Sequence, residues 1–305
     1  ETVEIAVVGA GVVGLAIAHR LAAAGREVVL IDRDAPGAGA SYGNAGTVAD
    51  YAVQPVGTPD VLKNLPSLLF DPNSPLAIRR AALPSLMPWL LRFARQSLPG
   101  AAKANSLALA GLLVDATPRW QALAEEIGGA DLLQDRGCVY WYQTDAALKA
   151  AKADLAFRRG LGVTVDLISA DELQRLEPGL PVEGGGGAFF PNARFMSDPG
   201  AMVAKLAESA ARRGASYRRA EVRSLEHDVA GVRLGGEGLA LHARHVVLAT
   251  GAHGRGLARQ AGDRVPLDTE RGYHLEWEME QPRLSRPVCP TSRGFYLCPM
   301  QGRLR

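Results

Sequence analysis

The 305-residue sequence lacks several features that define whole classes of protein. It has three cysteines, Cys138, Cys289 and Cys298, without CxxC spacing, which argues against a disulfide framework or a zinc site. We therefore expect buried, reduced thiols and no bound metal. No apolar run reaches the roughly 20 residues that a membrane span needs. Because no basic, apolar leader precedes the first strand, we expect a cytoplasmic protein.

An excess of one charge sign is also missing. The 34 Lys and Arg residues are nearly balanced by 32 Asp and Glu residues, and the formal net charge is +2. Such a weak field does not favour nucleic acid as a partner. Hydrophobic residues make up 47% of the chain, enough for a large core in a folded, two-domain protein.

The glycine-rich stretch IAVVGAGVVGLAIAHRLAAAGREVVLID lies near the start of the chain. Its apolar pattern predicts a buried strand over residues 5–8, a helix over residues 13–24 ended by Gly25, and a second strand over residues 27–32. A GxGxxG motif alone is weak evidence. Within this strand, turn, helix and strand order, however, it is typical of a dinucleotide site.

Each glycine of that fingerprint has a physical role. Gly9 permits a tight turn, Gly11 lets a pyrophosphate approach the backbone, and Gly14 lets the helix pack closely on the strand. The phosphates then meet the free N–H groups at the helix N-terminus. Asp32 ends the second strand, where its carboxylate accepts hydrogen bonds from ribose hydroxyls and disfavours the 2′-phosphate of NADP. NAD and FAD share this fingerprint.

The loop PGAGASYGNAGTV, residues 36–48, favours FAD over NAD because of its resemblance to a known family. It resembles the segment after the second strand in FAD-dependent amino acid oxidoreductases of the D-amino acid dehydrogenase and glycine oxidase group. In that family a loop of small residues passes along the isoalloxazine ring, and Ser41, Asn44, Ala45 and Gly46 occupy the matching positions. The alternative is a flexible Gly/Ala/Ser loop without a ligand.

Two later stretches agree with this resemblance. The first begins with Asp198 as a helix N-cap, continues as a helix that stops at Gly214, and is followed by a predicted strand at residues 220–222. In the family this strand presents the backbone of Val222 to the adenine. The second stretch, HARHVVLATGAHG, has a buried strand at residues 246–248 and resembles the family motif beside the cofactor phosphates and ribose.

The resemblance implies FAD as the cofactor and an α/β fold. A Rossmann-like FAD-binding domain would comprise residues 1–50 and 198–260, and a substrate-binding domain with a mixed, partly antiparallel sheet would comprise residues 51–197 and 261–305. This is the architecture of glutathione-reductase-type flavoproteins such as D-amino acid oxidase. The implied cofactor-binding residues are Gly9, Ala10, Gly11, Val13, Gly14, Asp32, Arg33, Ser41, Asn44, Ala45, Gly46, Val222, Ala249, Thr250 and Gly251.

The candidate catalytic residues are Arg271, Tyr273, His274 and Tyr296. The first three lie in ERGYHLEW, which matches a family strand that ends near the flavin, and the fourth lies in GFYLCP. Arg271 is a candidate partner for the substrate carboxylate or for charge on the flavin, because it is permanently cationic and can bond in a fork. The alternative for each is an ordinary half-exposed residue of a sheet.

Residues 65–98 are rich in Pro, Leu and Arg, with helices predicted at residues 77–82 and 88–97. We expect ordinary surface helices whose Leu side chains and Trp89 face the core. The alternative is a basic amphipathic face that rests on the inner side of the cytoplasmic membrane. Four consecutive glycines, residues 184–187, predict a turn.

The resemblance implies FAD-dependent oxidation of a small amino or imino acid, such as a D-amino acid or a proline-like compound, to the imine. Hydride passes to flavin N5, and the electrons pass to an acceptor other than oxygen, a quinone or another carrier. The alternatives are an oxygen-using oxidase of the glycine or sarcosine type and a non-catalytic dinucleotide-binding protein. Family members continue into a further segment that completes the active site, so we expect this chain to contain only part of it.

Overall fold

A computed structural model describes residues 1–70, 83–269 and 271–305 of the chain. The helix expected at residues 77–82 lies outside the described residues. The helices are α1 (Val12–Ala23), α2 (Pro59–Phe70), α3 (Leu83–Gln96), α4 (Pro99–Leu113), α5 (Ala116–Glu126), α6 (Asp145–Gly160), α7 (Ala170–Leu176), α8 (Pro199–Arg212) and α9 (Arg255–Gln260). The strands are β1 (Thr2–Val8), β2 (Val28–Asp32), β3 (Thr47–Val48), β4 (Leu133–Gln134), β5 (Cys138–Tyr142), β6 (Asp166–Ser169), β7 (Gly186–Phe190), β8 (Arg194–Met196), β9 (Ser216–Arg219), β10 (Ser224–Asp228), β11 (Gly231–Gly236), β12 (Leu239–Leu248), β13 (Trp277–Glu278), β14 (Val288–Pro290), β15 (Pro299–Met300) and β16 (Arg303–Leu304).

The largest sheet has the strand order β10-β11-β12-β1-β2-β9. Its four strands β12, β1, β2 and β9 run parallel, with Val7 of β1 paired to Val247 on one side and Leu30 on the other. Parallel strands need cover on both faces, and their continuous apolar runs provide the buried side chains for that packing. The predicted strands at residues 5–8 and 27–32 are confirmed as β1 and β2 to within three residues. The predicted strand at residues 246–248 is the end of β12, which begins seven residues earlier.

Two helices, α1 and α8, pack side by side on one face of this sheet. Leu15 and Ala18 of α1 and Met202 and Leu206 of α8 belong to one buried cluster with the side chains of β1 and β2. As predicted, the Asp198 side chain caps α8, accepting a hydrogen bond from the Ala201 N–H at 2.9 Å. The strand after α8 is β9, so the prediction of a strand at residues 220–222 was wrong in position.

A second sheet, β14-β5-β7-β6, lies in the other part of the molecule. A three-stranded sheet, β3-β8-β4, joins the end of the predicted flavin loop to α8 through β8. The glycine run was only partly a turn. Gly185 has a φ of +72° and turns the chain, whereas Gly186 already pairs with Tyr142 and Ser169 as the first residue of β7.

Two expectations for the exposed segments were wrong. Residues 271–274 form no strand, because the small sheet β13-β16-β15 pairs only Trp277 and Glu278 with β16. The predicted helix at residues 88–97 is present as part of α3, yet Trp89 is 47% and Leu91 64% exposed instead of facing the core. None of the helices in the described residues combines the length and apolar character that a bilayer crossing requires.

Candidate functional site

The site begins at the turn between β1 and α1. Gly9 has a φ of +110°, a conformation that side chains disfavour, and a Cβ there would overlap the carbonyl of Ala249. A Cβ on Gly14 would overlap the carbonyl oxygen of Gly9. The strand, the turn and the helix therefore approach each other at a separation that only glycine allows, as the sequence predicted.

The first turn of α1 presents free N–H groups. The Val12 N–H donates to Ser41 Oγ at 2.9 Å, which brings the predicted flavin loop onto the helix N-terminus. Among the described residues the N–H groups of Gly11 and Val13 have no acceptor, as the first turn of any helix dictates. Unpaired N–H groups together with the helix dipole favour a bound phosphate.

Asp32 lies at the carboxyl end of β2, beside the same turn. Its Oδ2 accepts a hydrogen bond from the Ala10 N–H at 2.6 Å, and its Oδ1 accepts one from the Asp34 N–H at 3.0 Å. The Tyr217 hydroxyl of β9 donates to the carbonyl of Asp34 at 2.5 Å and so holds the backbone that follows Asp32. Each carboxylate oxygen keeps a lone pair, so Asp32 can still accept ribose hydroxyls.

These elements enclose a cavity of about 520 Å³. Its walls are the β1–α1 turn, the end of β2, the loop after it, the segment after β9 and the segment after β12. Ten of the predicted cofactor-binding residues line it: Gly9, Ala10, Gly11, Asp32, Arg33, Ser41, Val222, Ala249, Thr250 and Gly251. Val13 and Gly14 follow directly in α1 but do not line the cavity. The structure thus brings together segments that are far apart in the sequence.

The other three predicted residues, Asn44, Ala45 and Gly46, do not line this cavity. The Asn44 side chain folds back into its own loop, where Oδ1 accepts from the Gly46 N–H and Nδ2 donates to the Ser41 carbonyl, both at 2.7 Å. Gly46 has a φ of +69°, and a Cβ there would lie 2.8 Å from the carbonyl oxygen of Met196. These residues shape the loop in this structure.

Sequence reasoning missed several residues at the cavity. Gly37 has a φ of +79° and its N–H donates to the Ala10 carbonyl at 2.8 Å, and the Pro-Gly dipeptide was an available turn signal. Arg223 and Gln260 also line the cavity, and no local pattern marks them. Arg305 was missed as well, although its guanidinium contacts the flavin loop.

Tyr296 lies in a group that we call the tyrosine cluster, formed by the fully buried Tyr51 and the half-buried Tyr140 and Tyr296. The hydroxyls of Tyr140 and Tyr296 are 3.0 Å apart, and Tyr51 donates to Cys138 Sγ at 3.2 Å. Burial raises the pKa of Tyr296 to about 12 and raises those of Tyr51 and Tyr140 as well. All three side chains are therefore neutral at physiological pH and act as hydrogen-bond donors and acceptors.

The three other candidate catalytic residues occupy an exposed segment. Within the described part of the chain, Arg271 and Tyr273 make no hydrogen bond or ion pair, and Tyr273 is 86% exposed. His274 lies against the flavin loop, since a Cβ on Gly43 would be 3.1 Å from its Cε1. The structure therefore places one member of this trio at the loop and leaves the other two in solvent.

Comparison with known proteins assigns the chain to a family. The family model described as FAD dependent oxidoreductase (DAO) matches residues 4–305. The chain belongs to this family. FAD is accordingly its cofactor, and the expected α/β fold with a Rossmann-like FAD-binding part is confirmed.

Individual DAO-family relatives give the range of similarity. A D-amino-acid oxidase of Bradyrhizobium diazoefficiens is 36% identical over 281 residues, which cover 89% of this chain and 65% of that protein. A D-amino acid dehydrogenase of Dechloromonas aromatica is 28% identical over 320 residues, covering 99% and 75%. The crystal structure of a glycine oxidase from Geobacillus kaustophilus superposes with a TM-score of 0.68 at 24% identity, covering 99% of this chain and 70% of that one. The chain thus spans just under two thirds of the length of the first of these relatives.

The residues at the cavity fit FAD. Unpaired N–H groups at α1 match a diphosphate, Gly11 leaves room for it to approach the backbone, and the Asp32 carboxylate matches a ribose. Among the described residues there is no group of three or more His, Cys, Asp and Glu side chains that could hold a metal ion. The cysteines Cys138, Cys289 and Cys298 are buried free thiols, as expected.

Proposed function

We propose that this protein oxidises a small amino or imino acid to the corresponding imine with FAD. The observation that carries the proposal is the cavity of about 520 Å³, in which the β1–α1 turn, Asp32 and the loop after β2 meet. The names of its relatives, a D-amino-acid oxidase and a D-amino acid dehydrogenase, support the substrate class.

The reaction removes a hydride from the substrate Cα and a proton from its nitrogen, leaving an imine that water hydrolyses. When bound, FAD supplies the two-electron acceptor for that hydride. The protein must hold the cofactor and orient the substrate, which must bind as the neutral amine. We assign the phosphates to the N–H groups of α1, the adenosine ribose to Asp32, and the adenine edge to the backbone of Val222. The Val222 N–H has no backbone partner among the described residues.

For the substrate we propose contacts to Tyr296 and to the segment containing Arg271, Tyr273 and His274. Tyr296 is supported by its place in the tyrosine cluster, where the Tyr140 hydroxyl holds its hydroxyl at 3.0 Å. A neutral phenol donates to a carboxylate without competing as a base. His274 is supported by its contact with Gly43. Arg271 is supported by its permanent positive charge on an exposed segment, where it can pair with a substrate carboxylate.

The experiment is the visible spectrum of the purified protein under anaerobic conditions. The proposal predicts an oxidised flavin spectrum that bleaches when a D-amino acid, an L-amino acid or a proline-like compound from a panel is added. A flavin spectrum that no member of the panel bleaches would support a non-catalytic dinucleotide-binding protein instead. Comparing enantiomers in the same panel assigns the stereochemistry.

We further propose that the electron acceptor is a carrier such as a quinone. Stopped-flow reoxidation of the bleached protein tests this directly. Rapid reoxidation by a soluble quinone with slow reoxidation by oxygen is expected. The opposite order would identify an oxidase of the glycine or sarcosine type.

Membrane-surface contact is a second part of this proposal, supported by the exposure of α3 and α4. Large apolar side chains there face solvent, among them Trp89, Leu91 and Leu112. Residues 83–114 contain Arg92, Arg95 and Lys103 but no Asp or Glu. An apolar face with only positive charges is complementary to an anionic lipid surface. A protein bound to such a surface would have access to a quinone acceptor in the membrane.

Vesicle sedimentation tests this contact, using phosphatidylcholine vesicles with and without phosphatidylglycerol. The double variant W89S/L91S is expected to lower partitioning to the anionic vesicles roughly tenfold, because two large apolar side chains are removed. V229S is the matched control, since Val229 is an exposed apolar residue in the turn between β10 and β11. Equal partitioning of all three proteins, or no preference for anionic lipid, would contradict the proposal.

A further inference from the structure

The guanidinium of Arg305 is buried against the flavin loop. Its side chain is only 4% exposed. Nη1 donates to the carbonyl of Asn44 at 2.6 Å and to that of Tyr42 at 3.0 Å. Cζ lies 5.6 Å from the centre of the Tyr42 ring, whose edge in turn lies beside Gly200 at the start of α8. One side chain therefore contacts two carbonyls and an aromatic ring of the same loop.

The loop is held at its other end by the dinucleotide turn. The Gly37 N–H donates to the Ala10 carbonyl, and Ser41 Oγ accepts from the Val12 N–H. Residues 37–41 line the cavity, whereas Tyr42 and Asn44 do not. Arg305 thus holds the part of the loop that leaves the cavity, while the turn holds the part that forms its wall.

A carboxylate fixes the orientation of Arg305. Glu276 Oε1 accepts a hydrogen bond from Arg305 Nε at 2.8 Å and lies 3.2 Å from Arg303 Nε. The hydrogen bond from Arg305 lowers the pKa of Glu276 below its usual value, so the carboxylate stays ionised. With Glu276 in place, the Nη1 edge of the guanidinium is directed at the two loop carbonyls.

We propose that Arg305 is a positioning residue for the flavin, acting through the loop of residues 36–48. By holding the carbonyls of Tyr42 and Asn44, it sets the path of the backbone on which the isoalloxazine end of FAD lies. The inference rests on the proposed function only in placing FAD in this cavity and does not depend on the substrate. Glu276 supports the same role by orienting the guanidinium.

Lysine cannot replace arginine in this role. A lysine ammonium is a single point donor group, whereas the planar guanidinium bonds a carboxylate on one edge and two carbonyls on another. R305K keeps the charge and most of the buried volume but loses this fork. The substitution therefore separates the positional role from the electrostatic one.

Arg286 offers a closely matched control. It also binds a carboxylate through Nε, that of Glu177 at 2.6 Å, and donates from Nη1 to a carbonyl, that of Arg136 at 2.7 Å. Its Cζ lies 5.4 Å from the centre of the Phe189 ring. None of these partners belongs to the flavin loop or lines the cavity. R286K therefore reproduces the structural damage of R305K at a distance from the flavin.

The first measurement is the FAD dissociation constant and the visible flavin spectrum of both variants, each made in the 305-residue chain. R305K is expected to weaken FAD binding about tenfold, the effect of losing charge-assisted hydrogen bonds. It is also expected to shift the flavin absorption bands. R286K is expected to leave the FAD dissociation constant within about twofold and the spectrum unchanged.

The second measurement uses the FAD-free protein, so that it does not depend on the cofactor. Tyr42 packs beneath the guanidinium, and chymotrypsin cleaves after tyrosine. Faster cleavage after Tyr42 is expected in R305K than in the wild type and in R286K. Equal cleavage rates in the three proteins would overturn the proposal, as would equal FAD affinity of R305K and R286K. If no amino acid bleaches the flavin of the wild-type protein, the proposed function is refuted. The FAD affinities and the cleavage rates would still test the role of Arg305.

Discussion

At Gly14 the lack of a side chain decides whether α1 can approach β1. A Cβ there would overlap the Gly9 carbonyl oxygen, which belongs to the backbone and cannot rotate away. We expect Gly14→Ala to lower the free energy of unfolding by about 3 kcal/mol, at the upper end of overpacking effects, and to abolish FAD binding. Thermal unfolding and an FAD titration measure the two effects.

Gly111 is the control for that substitution. It lies in α4, where a Cβ would meet open space. Gly111→Ala should therefore stabilise the protein by about 0.5–1 kcal/mol through helix propensity and leave FAD binding unchanged. Normal FAD affinity in Gly14→Ala would show that α1 can move away from the turn without affecting the site.

Asp32 is a second residue whose exact chemistry matters. Asp32→Asn places an NH2 group opposite one of two backbone N–H donors, those of Ala10 and Asp34, and removes the negative charge. Losing a charge-assisted bond of about 1.5–3 kcal/mol predicts an FAD affinity lower by roughly 10- to 100-fold. Asp115→Asn, at an exposed site that pairs with Arg119, should have no effect. Similar FAD affinities for the two variants would remove Asp32 from the cofactor site.

The residues that motif spacing alone identified share one property, which is that their chemistry is set by neighbours along the chain. Gly9, Gly11 and Gly14 belong to one turn, and Asp32 ends the strand that follows. Arg305 and Arg223 could not be found in this way. Their roles arise from contacts with segments far away in the sequence, and an arginine in a polar stretch looks like any exposed cation.

At the scale of elements, Glu126 connects three helices. From the end of α5 its carboxylate lies 3.2 Å from His19 Nε2 and 2.6 Å from Arg20 Nη1, both in α1. It also lies 2.9 Å from Nη2 of Arg213, the residue after α8. Because His19 is fully buried, removing the carboxylate leaves its imidazole without a charged partner. Glu126→Gln should cost about 1–2 kcal/mol of stability at neutral pH.

The pH dependence of that stability has a defined sign. Burial acts to raise the pKa of Glu126, but the hydrogen bond with His19 and the charges of Arg20 and Arg213 lower it overall from 4.5. The stabilisation is therefore full above about pH 4.5 and is lost as the pH falls through the lowered pKa. The Tm of the wild type should fall more steeply than that of Glu126→Gln in this acidic range. Glu125→Gln, which changes the exposed neighbouring carboxylate, should follow the wild type.

Elements were predictable where an apolar period and a cap coincided, as in α8 with Asp198 at its start and Gly214 after its end. Prediction failed where the structure of a segment depends on a distant segment that packs or pairs with it. Residues 271–274 include Tyr273, which favours strands, but no neighbouring strand pairs with them. Residues 220–222 follow β9, whose pairing with β2 ends at Arg219. Which side of α3 faces solvent likewise depends on the segments that pack over this helix. The apolar periodicity of its own sequence does not show this.

For the whole molecule, FAD binding should couple to folding. The cavity joins the β1–α1 turn, the flavin loop and the segments after β9 and β12, and these exist together only in the folded state. At an FAD concentration 100 times the dissociation constant, stabilisation is about 2.7 kcal/mol, which corresponds to a Tm increase of about 5 °C. Removing FAD by dialysis should reverse the shift. NADP at the same concentration should give none, because Asp32 repels its 2′-phosphate.

The parallel pairing of β1 with β12 also affects the order in which the protein folds during its synthesis. Thr2 pairs with His242 and Val8 with Leu248, so the first strand of this sheet to be synthesised pairs with the last one. Until β12 has been synthesised, one edge of β1 is unpaired and can pair with other chains. The cavity wall that contains Thr250 is also missing until then. Loading of the flavin is consequently a late event of biosynthesis, because the cavity is complete only after β12 has paired with β1.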